Sequence, residues 1–177
     1  MVIDVTEHGK AGHAARNEGV NAIDKAIDDI QRLHRQQFER ISPLLGAVKA
    51  TVTIINAGTQ HNVVPATCQF TIDVRSNELY TNEELFDIIS GLIEGEAKAR
   101  SFRLNSSGIS LTHPIVERAI SLGLTPYGSP TLSNQAFMNF PSLKIGPGQS
   151  ARSHTANEFI CIDEIDQAIA LYLKLLA

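Results

Sequence analysis

Apolar and polar residues alternate along three stretches in the first part of the chain, and such alternation predicts half-buried strands. The stretches are residues 2–6, 48–54 and 68–75. A weaker alternation at residues 101–104 predicts a fourth strand. Turn-forming residues at 56–58 and 105–108 bound two of these strands, so the sequence predicts four strands with short connections.

Two apolar stripes at helical spacing lie between these strands. The first runs from Ile23 to Leu33, and Asn21 before it predicts an N-cap. The second runs from Leu85 to Ile93 after the capping-box pattern of residues 81–84, Thr-Asn-Glu-Glu. The resulting order is strand, helix, strand, strand, helix, strand. This order predicts an α+β fold with a ferredoxin-like β-α-β-β-α-β domain over residues 1–108.

The remainder of the chain has a different pattern. Pro114 predicts the first turn of a short helix, and an apolar stripe after Asp163, the expected N-cap, predicts a second helix. The stretch between them is rich in proline and glycine, with room for at most two short strands. These elements cannot bury their apolar faces alone. We therefore expect residues 112–177 to be part of a larger α/β domain whose other part is not in this chain.

Composition narrows the classes of function. The chain of 177 residues is 43% hydrophobic and 19% charged, as in an ordinary globular protein, and its net charge of −4 argues against a nucleic-acid surface. No apolar run approaches the length of a membrane span. Cys68 and Cys161 stand in apolar or partly apolar contexts, which predicts two small buried side chains in a reducing compartment. The expected location is the cytoplasm.

One candidate for chemistry is His13, which lies in a glycine-rich loop between the first strand and the first helix. Three glycines within residues 9–19 indicate a tight turn or a close backbone approach. Gly12 and Ala14 leave the imidazole projecting, so it could donate a hydrogen bond to a developing negative charge. The alternative is a surface histidine without a role.

The second candidate is His154, which follows the tight Gly146-Pro147-Gly148 stretch. A histidine among small polar residues in such a loop can bind a metal ion through one ring nitrogen. The alternative is again a loop histidine, because one histidine is not a metal site. Glu158 is the nearest carboxylate in the sequence.

Four motifs in order, at residues 9–23, 58–66, 70–75 and 146–159, carry a resemblance to a known family. The sequence resembles the zinc-dependent acetylornithine deacetylase and aminoacylase family of metallopeptidase-like amidohydrolases. This family includes succinyl-diaminopimelate desuccinylase and carboxypeptidase G. The last motif is most similar to the acetylornithine and acetylcitrulline deacetylase branch, whose activity implies a hydrolase of arginine biosynthesis.

The resemblance implies that residues 1–108 are a lid that forms a homodimer, and that residues 112–177 are the C-terminal portion of the catalytic domain. His13 would reach the partner subunit's active site and stabilise the oxyanion. The other implied roles are substrate binding by Asn62, backbone groups near the substrate at Gly146 and Gly148, and one zinc ligand at His154. Arg75 is a candidate for the substrate carboxylate, and pairing with Asp73 is an equally good interpretation.

The sequence also departs from the family pattern. The other zinc ligands and the general base of the family lie N-terminal to the lid, so we expect this chain alone to be inactive and to bind zinc weakly or not at all. Asn134 stands where the family is expected to carry aspartate. Two hypotheses follow: part of a dizinc enzyme that deacylates N-acyl amino acids, or a non-catalytic ferredoxin-like module for dimerisation or amino-acid binding.

Overall fold

A computed structural model describes residues 1–16, 18–129, 131, 133–138 and 140–177. These residues divide into two compact units. The first comprises Met1–Ser107 and Ser129–Phe137, and the second comprises Gly108–Gly128 and Met138–Ala177. The short segment Ser129–Phe137 thus belongs with the first unit, although the sequence pattern placed it in the second part of the chain.

The first unit contains all the strands among the described residues. They are β1 (Val2–His8), β2 (Gly12–His13), β3 (Lys49–Ala57), β4 (Val63–Val64), β5 (Thr67–Arg75) and β6 (Glu96–Ala99). The main sheet is antiparallel and has the strand order β3-β5-β1-β6. The two short strands β2 and β4 pair separately. The predicted ferredoxin-like fold is confirmed.

Helices α1 (Ala22–Arg35) and α2 (Asn82–Leu92) complete this unit, and both begin at the caps that the sequence predicts. Asn21 Oδ1 accepts the Ile23 N–H, and Thr81 forms a capping box with Glu84. The helices pack on the sheet around a core that combines inward residues of β1 and β5 with one face of each helix. Its largest fully buried apolar members are Ile3, Phe70, Ile72, Leu85 and Ile89.

The fourth main strand was predicted at residues 101–104, and this prediction was wrong. The strand is β6 (Glu96–Ala99), and its ladder with β1 ends where the Arg100 N–H donates to Val2 O. Beyond that point the backbone carbonyls are bound by a side chain instead of a strand. The buried Asn82 amide Nδ2 donates to Phe102 O at 3.1 Å and to Leu104 O at 2.9 Å.

The second unit contains α3 (Pro114–Ser121) and α4 (Ile162–Leu176), and no strand among its described residues. Pro114 begins α3 as predicted. The N-cap of α4 is Cys161 instead of the predicted Asp163. Cys161 is exposed at this position, which corrects the prediction of a buried side chain, whereas Cys68 is buried. No helix in the described part of the chain is long and apolar enough to span a membrane.

Much of the apolar surface of α4 is exposed. Ile169 is 53% exposed and Leu173 is 69% exposed, whereas Ala168 and Leu175 are buried. The Arg118 guanidinium of α3 donates to Lys174 O near the C-terminal end of α4. The exposed stripe agrees with the expectation that this segment cannot cover its own apolar face.

Replacing Asn82 by alanine should destabilise the first unit by about 1–3 kcal/mol, because the Leu104 carbonyl would lose its side-chain donor and the Phe102 carbonyl would keep only that of Asn105. Chemical denaturation of the full chain would measure this loss. The exposed neighbour Glu83 provides the control: Glu83→Ala should change the free energy of unfolding by less than about 0.5 kcal/mol. Equal effects of the two substitutions would show that Asn82 does not hold residues 102–104.

Candidate functional site

The loop that carries His13 is closed by contacts between its own two ends. Lys10 and Val20 exchange backbone hydrogen bonds of 2.8 and 2.9 Å. Between them, Gly12 lies so close to the backbone of Glu18 and Gly19 that any β-carbon at Gly12 would collide with it. Gly19 also has a φ of +94°, which side chains rarely tolerate. Glycine is therefore required for this backbone path.

The pairing of β2 with β4 brings His13 next to Asn62. His13 pairs with Val63, and the N–H of Ala14 donates to the carbonyl of Asn62 at 3.1 Å. Both candidate residues are exposed. Residues 12–13 and 62–64 thus form a small arm, called here the His13 arm, on which the exposed residues His13 and Asn62 lie on adjacent backbone segments.

A hydrogen bond determines which nitrogen of His13 carries the proton. The N–H of Ala15 donates to Nδ1 of His13 at 3.2 Å. Because Nδ1 accepts this hydrogen bond, the neutral imidazole carries its proton on Nε2. The exposed imidazole of His13 therefore offers its Nε2–H as a hydrogen-bond donor to a molecule that binds at the arm.

Arg75 lies at the other end of the sheet. The arm extends β5 beyond Thr67, whereas Arg75 is the last residue of that strand, about 27 Å away along eight residues. Its Nε donates to Asp73 Oδ2 at 2.8 Å, and its side chain is 65% exposed. Within one protomer the structure does not bring Arg75 together with His13 and Asn62.

The second unit positions the other three candidates on one loop. Gly148 has a φ of +81° and His154 has a φ of +61°. His154 is the one residue other than glycine with a positive φ among those described. Its N–H donates to Glu158 Oε2 at 2.9 Å, which supports this unusual backbone. Gly146 has open space around it.

The His154 loop is anchored to the start of α4 by Glu164. Arg152 Nη1 donates to Glu164 Oε2 at 2.7 Å, and the Cys161 N–H donates to the same oxygen at 2.9 Å. These two hydrogen bonds, that of Arg152 first, hold the pKa of the Glu164 carboxyl below its usual range. The Arg152 guanidinium also lies over the Phe159 ring, 4.7 Å from its centre.

These anchors were not predicted from the sequence. An acidic residue three positions after an N-cap is a signal for Glu164, but the choice of Asp163 as the cap obscured it. Glu158 was noted only as the nearest carboxylate. That it accepts the His154 N–H follows from a backbone conformation which no sequence pattern indicates.

The residues present do not form a zinc site by themselves. Among residues 1–16, 18–129, 131, 133–138 and 140–177, no three His, Cys, Asp or Glu side chains are grouped so that they could hold a metal ion. A structural or catalytic zinc needs at least three protein ligands. His154 could supply one of them.

The segment that forms the ferredoxin-like sheet matches a known family. Residues 2–101 match the family model described as the peptidase dimerisation domain, which is more than half of the chain. The chain belongs to this family.

Its curated relatives are hydrolases by name. A succinyl-diaminopimelate desuccinylase from Roseobacter denitrificans is 27% identical over 99% of this chain. A protein of Aeropyrum pernix, named as a LysW-lysine/LysW-ornithine hydrolase, is 28% identical over the same share. In each case the match covers 51% of the relative, so the chain spans about half of their length. Neither relative is named as an acetylornithine deacetylase.

A solved structure supports the fold. The crystal structure of an aminopeptidase from Bacillus cereus superposes with a TM-score of 0.70 at 22% identity. The superposition covers 98% of this chain and 50% of that one.

Replacing Gly12 by alanine should displace the His13 arm, because the added methyl group would overlap the Glu18 carbonyl. We expect a loss of stability of about 1–3 kcal/mol and loss of the single Nε2–H form of His13. Long-range ¹H–¹⁵N NMR of the imidazole and chemical denaturation measure these effects.

Gly91 in α2 is the matched control, since a β-carbon there meets no atom within 4 Å. Gly91→Ala should stabilise the chain by about 0.5–1 kcal/mol and leave the His13 spectrum unchanged. An unchanged His13 spectrum in Gly12→Ala would show that the glycine contact does not position the arm.

Proposed function

We propose that this chain supplies the lid and the C-terminal catalytic segment of a zinc-dependent amidohydrolase that removes the acyl group from N-acyl amino acids. The His13 arm is the observation that carries the proposal, because His13 is exposed there with Nδ1 accepting a backbone N–H, which leaves Nε2 to carry the proton. The family match over residues 2–101 and the hydrolase names of the relatives support the same reaction class.

In this reaction His13 acts as an oxyanion donor. Attack of water on the acyl carbon places negative charge on the former carbonyl oxygen, and a fixed N–H donor stabilises that charge. Nδ1 accepts the hydrogen bond from the Ala15 N–H, so the Nε2–H group is the one left to donate to the oxyanion. Asn62 beside it would hydrogen-bond the substrate, since a carboxamide both donates and accepts.

The amino-acid part of the substrate carries a carboxylate, for which Arg75 is one candidate. Arginine binds carboxylates through two parallel N–H groups. In the chain described here Arg75 is paired with Asp73 at 2.8 Å, so a substrate carboxylate would have to replace or share that partner. Gly146 and Gly148 would offer backbone groups to the substrate, and Gly148 is already in a conformation that favours glycine.

Zinc would lower the pKa of a bound water and polarise the acyl oxygen. His154 would contribute one ligand, with its backbone held by Glu158 and its loop anchored by Arg152 and Glu164. The remaining ligands and the general base would come from a catalytic part outside these 177 residues. That same part would cover the exposed stripe of α4, including Ile169 and Leu173.

The lid would also form a two-fold dimer through β3. This strand is an edge of the sheet and pairs only with β5 among the described residues. Ile54 and Ile55 on it are 50% and 51% exposed. An unpaired strand edge with apolar side chains favours pairing with a second copy, and two-fold dimers are the commonest symmetric assembly.

A non-catalytic dimerisation module is the second candidate function. It is favoured by one observation, which is that the family model matching residues 2–101 is described as a dimerisation domain. The two functions differ in whether His13 and His154 matter to a reaction.

Replacing Ile54 by lysine should weaken the dimer at least tenfold, because a charge would be placed at an apolar edge that becomes buried. Sedimentation equilibrium of the 177-residue chain measures the dissociation constant. Ile120→Lys is the control, since Ile120 is 46% exposed on α3 and lies outside the lid. A dimer of unchanged affinity in Ile54→Lys would exclude β3 as the interface.

Subunit complementation tests the catalytic proposal in an enzyme that joins this chain to its catalytic part. His13→Ala should lower kcat by about 10²–10³, because an oxyanion donor acts in the transition state. Mixed dimers of His13→Ala and His154→Ala subunits should regain activity, since one of their two sites keeps both histidines. Mixed dimers that are confirmed by mass but remain inactive would show that His13 does not serve the partner's site.

The 177-residue chain by itself should not hydrolyse N-acetylornithine, N-acetylcitrulline or N-succinyl-diaminopimelate, and it should not retain zinc after dialysis. One tightly bound zinc per chain would contradict the proposal that this chain supplies only one of the zinc ligands.

A further inference from the structure

Two acidic side chains, Glu7 and Asp29, are buried against each other in the first unit. Glu7 lies on β1 and is 2% exposed, and Asp29 lies on α1 and is 1% exposed. Both carboxyl groups meet at Gly95, whose N–H donates to Asp29 Oδ2 at 3.2 Å and which lies against the Glu7 carboxyl group, so the two acids come within hydrogen-bonding range of each other. Two carboxylates at that range repel each other, and a hydrogen bond between them requires one proton.

The surroundings indicate which group holds that proton. Asp29 accepts three hydrogen bonds: Oδ1 accepts from Arg32 at 2.8 Å, and Oδ2 accepts from the N–H groups of Glu94 and Gly95 at 3.0 and 3.2 Å. Glu7 Oε1 is buried and has no hydrogen-bond partner among the described residues. Donors stabilise the charged form of a carboxyl group, and buried Glu7 Oε1 lacks one, so the proton belongs on Glu7.

Of the other charged groups near Glu7, Lys25 lowers the pKa of its carboxyl group and Glu94 raises it, and both effects are smaller than those of burial and Asp29. Lys25 of α1 donates its ammonium group to His8 O at 2.9 Å. Arg32 is shared between Asp29 and Glu94, and Glu94 adds a further negative charge near Glu7. On β5, Cys68 is buried beside Glu7, and both burial and the Glu7 charge raise the pKa of its thiol.

Asp29 connects three elements at this point. Its carboxylate accepts the backbone N–H groups of residues 94 and 95, and these two hydrogen bonds hold the turn between α2 and β6. Strand β6 is an edge strand that hydrogen-bonds only to β1 in the described sheet. Gly95 packs directly against the Glu7 carboxyl group, where a β-carbon would collide with Oε1. Asp29 therefore hydrogen-bonds the turn, and Glu7 packs against it.

We propose that the Glu7–Asp29 pair is a proton-linked latch: with one shared proton it holds the turn before β6 against α1, and without that proton the turn opens. This inference is independent of the proposed hydrolase activity. It would make the stability of the first unit depend on pH. Glu7 lies on β1, the strand that leads into the loop of His13.

The direction of the pH dependence follows from the protonated acid. Burial, the hydrogen bond with Asp29 and the Asp29 charge together raise the pKa of Glu7 from its ordinary value of 4.5 to about 7. Below about pH 4.5 Glu7 is protonated in both the folded and the unfolded chain, and it costs no stability. Between pH 4.5 and 7 the unfolded chain ionises first, so stability falls with rising pH, and it is constant above pH 7.

The experiment compares the full chain with Glu7→Gln at pH 5.5, 7.0 and 8.5. The glutamine keeps the shape and the donor to Asp29 but cannot ionise. In the natural sequence, hydrogen-exchange protection factors at Glu94 and Gly95 should fall at least tenfold from pH 5.5 to 8.5, and Glu7→Gln should abolish this fall. The folding equilibrium constant of Glu7→Gln relative to the natural sequence should rise about thirtyfold over the same range.

Glu39→Gln provides a matched control, because it makes the same change of charge at an exposed position. It should leave the fall in protection intact. Titration of the Glu7 carboxyl carbon by ¹³C NMR needs no variant, and its midpoint should lie near pH 7. A midpoint at the ordinary glutamate value would overturn the latch, and so would a fall in protection that persists in Glu7→Gln.

Discussion

The pairing of β1 with β5 is the constraint on which the first unit depends. Seven residue pairs, from Val2 with Asp73 to His8 with Thr67, place the two strands at the centre of the sheet. This register directs Ile3, Val5 and Glu7 toward the helices, because side chains alternate along a strand. It also sets where β1 ends, and hence where the loop of His13 begins.

The His13 arm is a consequence of that strand end. Immediately after β1 the Gly9 N–H donates to Ala66 O, and the Ala22 N–H at the start of α1 donates to Pro65 O. The segment of residues 10–21, between these two hydrogen bonds, has to leave the sheet and return to it. Close backbone contacts at Gly12 and Gly19 make the return possible, and they leave His13 exposed beside Asn62. The position of the His13 imidazole, and the ring nitrogen that carries its proton, are therefore set by the backbone of the loop.

Local patterns were sufficient for much of this architecture. Asn21 and Thr81 cap their helices as predicted, since a cap depends on the backbone N–H groups two or three residues away. The prediction of a strand at residues 101–104 was wrong because the carbonyls of this weakly alternating segment accept hydrogen bonds from the distant Asn82 side chain instead of from a neighbouring strand. The roles of His13, Asn62, Arg75, Gly146, Gly148 and His154 stay predictions, which rest on resemblance and on the geometry of each unit.

The sequence by itself determined the order of the main strands and helices in the first unit, the caps of its two helices and the glycine-rich loop around His13. Each of these depends on periodicity or on contacts between residues close in the chain. Only the tertiary structure decided that Glu7 and Asp29 face each other in the core, that Arg75 lies far from His13, and that Glu158 holds the backbone of His154. These arrangements join segments through hydrogen bonds and burial, and a one-dimensional pattern does not specify which segments meet.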